Sequence, residues 1–235
     1  MMINNYQISV IIPCYNEIST IEKIVEKVKK NIQDQDEIII VDDFSSDGSR
    51  EFLEKYKLEK NITVYFNEMN MGKGYSIRRG IDKSKGNIII IQDADLEYDP
   101  ADYQKLLLPF LETDADIVYG SRFIGGSKYV RTHFFWHYIA NKILTFMCNL
   151  VSNLNLTDME TGYKVFKSSC VKQLSLKENT FGIEPELTIK FDKKKFKFFE
   201  VPISYNGRSY HEGKKITLKD AFIAVYCIVK YSFKD

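Results

Sequence analysis

Short apolar runs alternate with segments of helical periodicity along the first half of the chain. Residues 8–12 and 38–41 are apolar runs of the length typical of strands. Between them, apolar side chains recur at helical spacing, at Ile21, Ile24, Val25, Val28 and Ile32. Ser19 and Glu22 stand where a capping box would open this helix. The pattern predicts a strand, a helix and a second strand in a βαβ unit.

Further strands are expected at residues 62–66, 88–91 and 117–119. The runs at 8–12 and 88–91 are almost continuously apolar, as strands buried on both faces of a parallel sheet should be. The predicted fold class is therefore α/β, with a mostly parallel central sheet and helices on both of its faces in a three-layer sandwich.

Polar side chains gather directly after each predicted strand. They are Tyr15, Asn16 and Glu17 after the first, Asp42 and Asp43 after the second, Asn67 after the third, and Asp93 and Asp95 after the fourth. In an open parallel sheet the ligand crevice lies outside the carboxyl ends of the strands. These clusters are therefore expected to converge on one site.

The second half of the chain differs from the first in its residue pattern. Residues 132–151 form a long aromatic, amphipathic stretch, and a polar loop follows at 158–162. A helix is expected near Pro185, a strand around residues 198–205 and a final helix from about Thr217. Because no linker or repeat separates the halves, we expect a single domain over 1–235. It combines a nucleotide-binding half, 1–127, with an acceptor-side half, 128–235.

Composition narrows the function classes. The chain carries 33 Lys and Arg against 32 Asp and Glu, a net charge of +1, so no broad basic field is available to bind nucleic acid. The cysteines, widely spaced, indicate neither a zinc site nor a disulfide framework, which favours a reducing, cytoplasmic setting. No signal peptide is recognised, and the apolar run 221–229 is shorter than the roughly 18 residues a membrane span needs. We expect a soluble or peripheral protein.

The central chemical signal is Asp93-Ala94-Asp95, directly behind an apolar strand. Carboxylates at alternate positions can hold a hard divalent cation such as Mg²⁺ or Mn²⁺ that also touches a diphosphate. A solvated surface turn is the alternative. Glu97 has the spacing to add a third ligand, or it could cap the following helix.

Two further residues suit a nucleotide. Asp43 closes a strand and could accept a hydrogen bond from a nucleobase or ribose, with helix capping as the alternative. Lys73 lies between Gly72 and Gly74, a setting suited to a phosphate, although a lysine in a glycine turn is often simply exposed.

Seven motifs, in order along the chain, resemble those of family 2 glycosyltransferases of the GT-A fold. The resemblance is strongest to the branch of dolichol-phosphate mannose and polyprenyl-phosphate glucose synthases. The motifs are VIIPCYNE (10–17), VDDFSSDGS (41–49), NEMNMGKG (67–74), QDADLEYDP (92–100), YGSRF (119–123), DMETGYKVF (158–166) and EVPISYNGRSYHEGKKI (200–216).

The resemblance implies roles for individual residues. Those implied to hold the nucleoside are Pro13, Tyr15, Glu17 and Asp43. Lys73 and Asp93 would support the ribose and diphosphate, and Asp95 with Glu97 would complete the metal site. The residues implied to bind an acceptor phosphate are Arg122, Arg131, Arg208, Lys214 and Lys215. Ordinary salt bridges are the alternative for the arginines.

Together these observations predict an inverting transfer of a hexose from a UDP- or GDP-sugar to a polyprenyl phosphate. The enzyme would be peripheral on the cytoplasmic face of the membrane. An anionic phosphate can attack without a protein base. A saccharide hydroxyl acceptor would instead need one, for which Glu186 and Asp158 are candidates, although each could equally cap a helix. A binding module without turnover is a further alternative.

Two histidines lie four residues apart in the aromatic stretch, His133 and His137. That spacing can bind a metal, but the surrounding Phe, Trp and Tyr favour an amphipathic surface that contacts lipid. His211 is expected to be exposed. The sequence leaves the donor base, the sugar and the oligomeric state open.

Overall fold

The computed structural model describes residues 6–126, 131, 134–209 and 218–233. Over these residues one mixed sheet forms the centre of the fold. Its strands are β1 (Ile8–Cys14), β2 (Glu37–Asp42), β3 (Ile62–Phe66), β4 (Ile88–Ile91), β5 (Ile117–Ser121), β6 (Lys164–Lys167) and β7 (Phe198–Pro202). Their order across the sheet is β3-β2-β1-β4-β6-β5-β7. All neighbouring pairs are parallel except those of β6, which runs antiparallel to β4 and β5.

Helices cover both faces of this sheet. They are α1 (Ile21–Lys29), α2 (Ser49–Leu53), α3 (Lys73–Lys83), α4 (Tyr103–Glu112), α5 (Phe135–Ser152), α6 (Ser168–Val171), α7 (Ile183–Lys193) and α8 (Leu218–Phe233). Short 3-10 helices cover Glu54–Leu58 and Pro100–Asp102.

Alternation along the central strands separates the two cores. In β4, Ile88 and Ile90 pack with the apolar residues of α1 and α4, whereas Ile89 and Ile91 pack with those of α3 and α7. Because successive side chains of a strand point to opposite faces, a wholly apolar strand such as β4 belongs to both cores. The expectation that this run is buried on both faces is confirmed.

Helices α5 and α8 pack on each other and on α7 at one end of the molecule, around a third apolar cluster that includes Cys148, Cys227 and Tyr231. No helix in the described part of the chain is long and apolar enough to cross a membrane.

Three sequence expectations were wrong in detail. The capping box of α1 does not form: the residue before the helix is Thr20, and no side chain caps its first turn. The last strand ends at Pro202, and Tyr205 makes only an isolated bridge to Tyr98. β6 was not anticipated, because only Val165 and Phe166 of its four residues are apolar and a lysine stands at each end.

Candidate active site

A cavity of about 530 Å³ opens at the carboxyl ends of β1, β2 and β4. Members of the polar clusters after these three strands do converge there, whereas Asn16, Asp42 and Asn67, the residue after β3, do not line the cavity. The sequence-predicted residues that line it are Pro13, Tyr15, Glu17, Asp43, Lys73, Asp93, Asp95, Glu97, Arg122 and Arg208. The backbone is strained beside the same strand ends, because Asn16, Phe44 and Leu96 have positive φ angles of 51°, 66° and 61°. Non-glycine residues adopt this conformation only when the surrounding structure enforces it.

Lys73 is the first residue of α3, and its ammonium lies between two carboxylates. Its Nζ is 2.8 Å from Asp93 Oδ1 and 3.2 Å from Glu184 Oε1. Burial alone would lower the pKa of Lys73, but the two carboxylates outweigh it and raise that pKa. The lysine is therefore charged, and it lines the cavity.

Asp95 and Glu97 are held by Arg208. The guanidinium Nη2 is 2.8 Å from Asp95 Oδ2, and the backbone N–H of Arg208 donates to Glu97 Oε1 at 2.7 Å. The same guanidinium also pairs with Glu17, through Nη1 to Oε2 at 3.0 Å. Tyr205 completes the arrangement by donating its hydroxyl to Glu97 Oε2 at 2.8 Å.

This cluster has an excess of negative charge. Burial, and then the charges of Asp93 and Glu97, raise the pKa of Asp95 to about 7 even though Arg208 acts in the opposite direction. Carboxylate oxygens are the ligands that Mg²⁺ and Mn²⁺ prefer, so the donor chemistry suits a divalent ion. In this structure the Arg208 guanidinium places a positive charge beside these carboxylates, as such an ion would.

The expected set of three metal ligands is, however, not assembled. In the described part of the chain, no group of three or more His, Cys, Asp or Glu side chains is arranged to hold a metal ion. Asp93 is paired with Lys73, whereas Asp95 and Glu97 are paired with Arg208. Metal binding by these acids would require the Arg208 pairs to open.

Asp43 supports the loop that leads into α3. Its Oδ1 accepts hydrogen bonds from Asn67 Nδ2 at 2.7 Å and Met71 N at 2.9 Å, and its Oδ2 accepts from Gly72 N at 2.7 Å. Gly72 has a φ of 97°, and a Cβ there would collide with the Asn179 carbonyl, so this position needs glycine. Asp43 therefore shapes this part of the cavity through the backbone of the loop.

Arg122 and Asp158 form a buried fork. Arg122 Nε and Nη2 donate to Asp158 Oδ2 and Oδ1, both at 2.7 Å, and Asn141 of α5 donates to Oδ1 at 3.1 Å. Asp158 is wholly buried and does not line the cavity. The donors that would form a bidentate contact with an acceptor phosphate are thus already used.

Glu186 is also removed from the cavity. Its carboxylate is wholly buried and accepts hydrogen bonds from Lys177 N and Glu178 N, each at 2.8 Å, and from Lys190 Nζ at 2.7 Å. The structure therefore does not bring Glu186 to the cavity. Glu184, two residues earlier in α7, lines the cavity instead.

Of the remaining predicted acceptor residues, Arg131 is the one that falls within the described part of the chain. Arg131 is exposed, does not line the cavity, and donates from Nη1 to the carbonyl of Gly207 at 2.8 Å. Lys214 and Lys215 fall outside the described residues, as do His133 and His211. His137 of α5 does line the cavity.

The sequence analysis did not single out two charged residues that lie at or beside the cavity. Lys164 of β6 is fully buried, and its Nζ lies 2.6 Å from Glu184 Oε2 and donates to the carbonyls of Met159 and Thr161. Glu160, in the loop before β6, lines the cavity. Both residues lie within the motif DMETGYKVF, which was the available signal.

The chain belongs to glycosyl transferase family 2, whose family model matches residues 9–175. It is thus an enzyme of the glycosyltransferase class, as the motifs predicted. A dolichol-phosphate mannosyltransferase from Pyrococcus furiosus is 28% identical over 210 residues, which cover 88% of this chain and 59% of that protein. A UDP-N-acetylglucosamine–dolichyl-phosphate N-acetylglucosaminyltransferase from Methanococcus voltae is 31% identical over 233 residues, 90% of this chain and 91% of that protein. Both names fall in the lipid-phosphate branch that the motifs resemble.

Solved structures confirm the GT-A fold. Glucosyl-3-phosphoglycerate synthase from Mycobacterium tuberculosis, crystallised with Mn²⁺, UDP and glucosyl-3-phosphoglycerate, superposes with a TM-score of 0.74 at 18% identity. The match covers 97% of this chain and 80% of that one. The same enzyme was also crystallised with Mg²⁺ and UDP.

Proposed function

We propose that this enzyme transfers a hexose from a UDP- or GDP-sugar to a polyprenyl phosphate at a membrane surface, with inversion and with a divalent cation. One observation carries the proposal. The cavity that contains Lys73 and the acid cluster extends to the pair of amphipathic helices, where Leu144 of α5 and Ala221 of α8 line it. An acceptor that enters between these helices would reach the acids directly.

The donor end of the cavity suits a nucleotide sugar. Pro13, Tyr15 and the loop held by Asp43 would bind the nucleoside at the ends of β1 and β2. Lys73 would then meet the diphosphate with a charge fixed in place by Asp93 and Glu184. A divalent ion held by Asp93, Asp95 and Glu97 would neutralise the charge that develops on the departing diphosphate.

The acceptor end suits an anion that needs no protein base. A phosphate oxygen is already nucleophilic, so proximity and orientation are the main requirements. Arg208 could orient the phosphate after its pairs with Glu17 and Asp95 open, and Arg122 retains its Nη1 beyond the Asp158 fork. A hydroxyl acceptor is less well served, because both proposed bases, Asp158 and Glu186, are committed to structural hydrogen bonds.

The outer faces of α5 and α8 support a lipid acceptor. Large apolar side chains are exposed along both helices: Phe134, Phe135, Trp136, Ile143, Phe146, Leu150, Phe222, Tyr226, Val229 and Phe233. Exposed apolar side chains in such number are typical of a protein or membrane contact, and an amphipathic helix can lie in the interface of a bilayer. We propose that these faces rest on the membrane that carries the acceptor.

Donor and metal binding test the first part of the proposal. Calorimetry with UDP and GDP should show that Mn²⁺ strengthens binding of one nucleotide to the parent protein. Asp95→Asn should abolish this strengthening because it removes one carboxylate from the ion. Asp82→Asn, an exposed acid on α3, is the matched control. Metal-independent nucleotide binding by the parent would contradict the assigned role of the acid cluster.

Vesicle binding tests the second part. Replacing Trp136 and Phe146 by Glu should weaken sedimentation with anionic vesicles by about tenfold or more, since burying one large apolar side chain is worth roughly 1.5–3 kcal/mol. Leu58→Glu, at an exposed leucine remote from α5, is the control. Equal vesicle binding by all three proteins would remove the support for a membrane acceptor.

A further inference from the structure

Glu160 lies in a short loop whose two ends contact residues that line the cavity. At one end, Asp158 is held by Arg122. At the other, Gly162 N donates to the hydroxyl of Tyr98 at 2.9 Å, and the Gly162 Cα is packed so closely on Asp93 that a Cβ there would collide with its carboxylate. The contacts of Asp158 and Gly162, two residues away on either side, therefore fix the position of Glu160 on the cavity wall.

The carboxyl group of Glu160 is not hydrogen-bonded through its buried oxygen in the described part of the chain. Its Oε1 is fully buried and accepts no hydrogen bond. The two cations whose charges act on Glu160 already have carboxylate partners, since Lys164 pairs with Glu184 and Arg122 pairs with Asp158. The other acids on this wall differ in this respect, because Asp93 and Glu184 both contact Lys73.

The surroundings of Glu160 raise the share of its protonated form near neutral pH well above that of an ordinary glutamate. Burial is the largest effect and the charge of Glu184 the second, and together they raise the pKa of Glu160 to about 7. Lys164 and Arg122 act in the opposite direction, and Asp158 adds to the increase. A protonated carboxyl is a hydrogen-bond donor, whereas a carboxylate only accepts.

We propose that Glu160 binds the acceptor phosphate as a neutral acid, donating its O–H to a phosphate oxygen. The inference rests on the proposed function, because it requires a phosphate acceptor. Glu160 shares the cavity wall with His137 and Leu144 of α5 on the acceptor side and with Asp93 on the donor side. An ionised Glu160 would repel the phosphate, while the neutral acid attracts it at a wall whose cations are already paired.

This role predicts an unusual pH dependence. With a pKa of about 7 for Glu160, the neutral fraction falls steeply above neutrality. The KM for the acceptor should therefore rise about fifteenfold between pH 7 and pH 8.5. The KM for the nucleotide sugar should change much less over this range. Farnesyl phosphate is a suitable acceptor probe, with Mg²⁺ as the cation.

Glu160→Gln separates this role from others. An amide N–H donates at every pH, so the variant's KM for farnesyl phosphate should lose its dependence on pH. At pH 8.5 the variant should bind farnesyl phosphate more tightly than the parent does. Glu160→Met, which has no donor, should have a high KM throughout. Glu112→Gln, at an exposed acid at the end of α4, should follow the parent curve.

The outcomes that overturn the inference are distinct. If the parent transfers sugar with a KM for farnesyl phosphate that does not depend on pH, or if Glu160→Gln follows the parent curve, Glu160 does not bind the phosphate. If Glu160→Gln loses more than about a hundredfold in kcat at every pH with KM unchanged, Glu160 is a general base for a hydroxyl acceptor instead. If the parent binds nucleotide but neither binds nor glycosylates farnesyl phosphate, the proposed function fails as well.

Discussion

The buried fork between Arg122 and Asp158 allows a quantitative test of whether Asp158 is scaffold or catalyst. Both side chains are almost inaccessible, with 11% of the Arg122 side chain and none of Asp158 exposed. Three N–H groups of Arg122 donate to the one carboxylate, from Nε, Nη2 and the backbone. Asp158→Ala would therefore leave an arginine buried without its counter-charge.

The expected cost follows from this geometry. Removing one partner of a buried ion pair destabilises a protein by about 3–5 kcal/mol, and little discount for solvent screening applies at this burial. For a chain of this size, each kcal/mol corresponds to a Tm decrease of about 2–4 °C, so Asp158→Ala should melt roughly 6–20 °C below the parent. Asp158→Asn, which keeps the size and an acceptor oxygen, should lose less.

The loss should also depend on pH. Burial alone would raise the pKa of Asp158, but the charge and hydrogen bonds of Arg122 outweigh it and lower that pKa below its ordinary value. A carboxyl whose pKa is depressed by folding stabilises the protein above its unfolded pKa and loses that contribution as the pH falls. The stability difference between parent and Asp158→Ala should therefore be full near pH 7 and should shrink below about pH 4.

Guanidinium unfolding at pH 7 measures the effect, with Arg122→Met and the double variant completing a cycle. The double variant should be less destabilised than the sum of the single variants, because it leaves neither charge unpaired. If Asp158→Ala instead keeps the parent's unfolding free energy and loses only sugar transfer, the scaffold interpretation is wrong and Asp158 acts in catalysis.

Three further predictions concern the walls of the cavity. Gly162→Ala should weaken Mn²⁺-dependent nucleotide binding by at least about tenfold, because a Cβ there collides with Asp93. Gly125→Ala, where a Cβ meets nothing within 4 Å, is its calorimetric control. Asp43→Ala should lower the free energy of unfolding by about 1–3 kcal/mol, because three donors lose their buried acceptor. The same change should weaken nucleotide binding. If neither the unfolding free energy nor nucleotide binding changes, Asp43 does not support the cavity. Glu186→Gln should lower the Tm while kcat stays close to the parent value. A large loss of kcat at an unchanged Tm would restore Glu186 as a candidate base.

The sequence predicted the fold of the first half of the chain well, for a physical reason. The runs that became β1 and β4 are apolar on both faces, and such strands must lie in the middle of a parallel sheet. The carboxyl ends of such strands meet at one edge, so the meeting of Glu17, Asp43 and Asp93 in one cavity followed from the strand assignments alone.

The second half of the chain was less predictable because its structure depends on contacts between distant residues. β6 inserts between β4 and β5, a pairing that local patterns do not encode. The partner of each charged side chain is equally non-local: the fork of Arg122 is filled from 36 residues away, and Arg208 reaches Glu17 across 191 residues. The spacing of acids along the chain therefore identified candidate bases but could not show that Asp158 and Glu186 are already bonded.

The most direct test of the whole account is a transfer assay with labelled UDP- and GDP-hexoses, anionic vesicles that contain a polyprenyl phosphate, and soluble saccharides in the same reaction. The account predicts that label from one donor enters the organic phase as a mild-acid-labile lipid, that a chelator stops this transfer, and that Mn²⁺ or Mg²⁺ restores it. Label that appears only in water-soluble saccharides, while the lipid phosphate stays unmodified, would contradict the account.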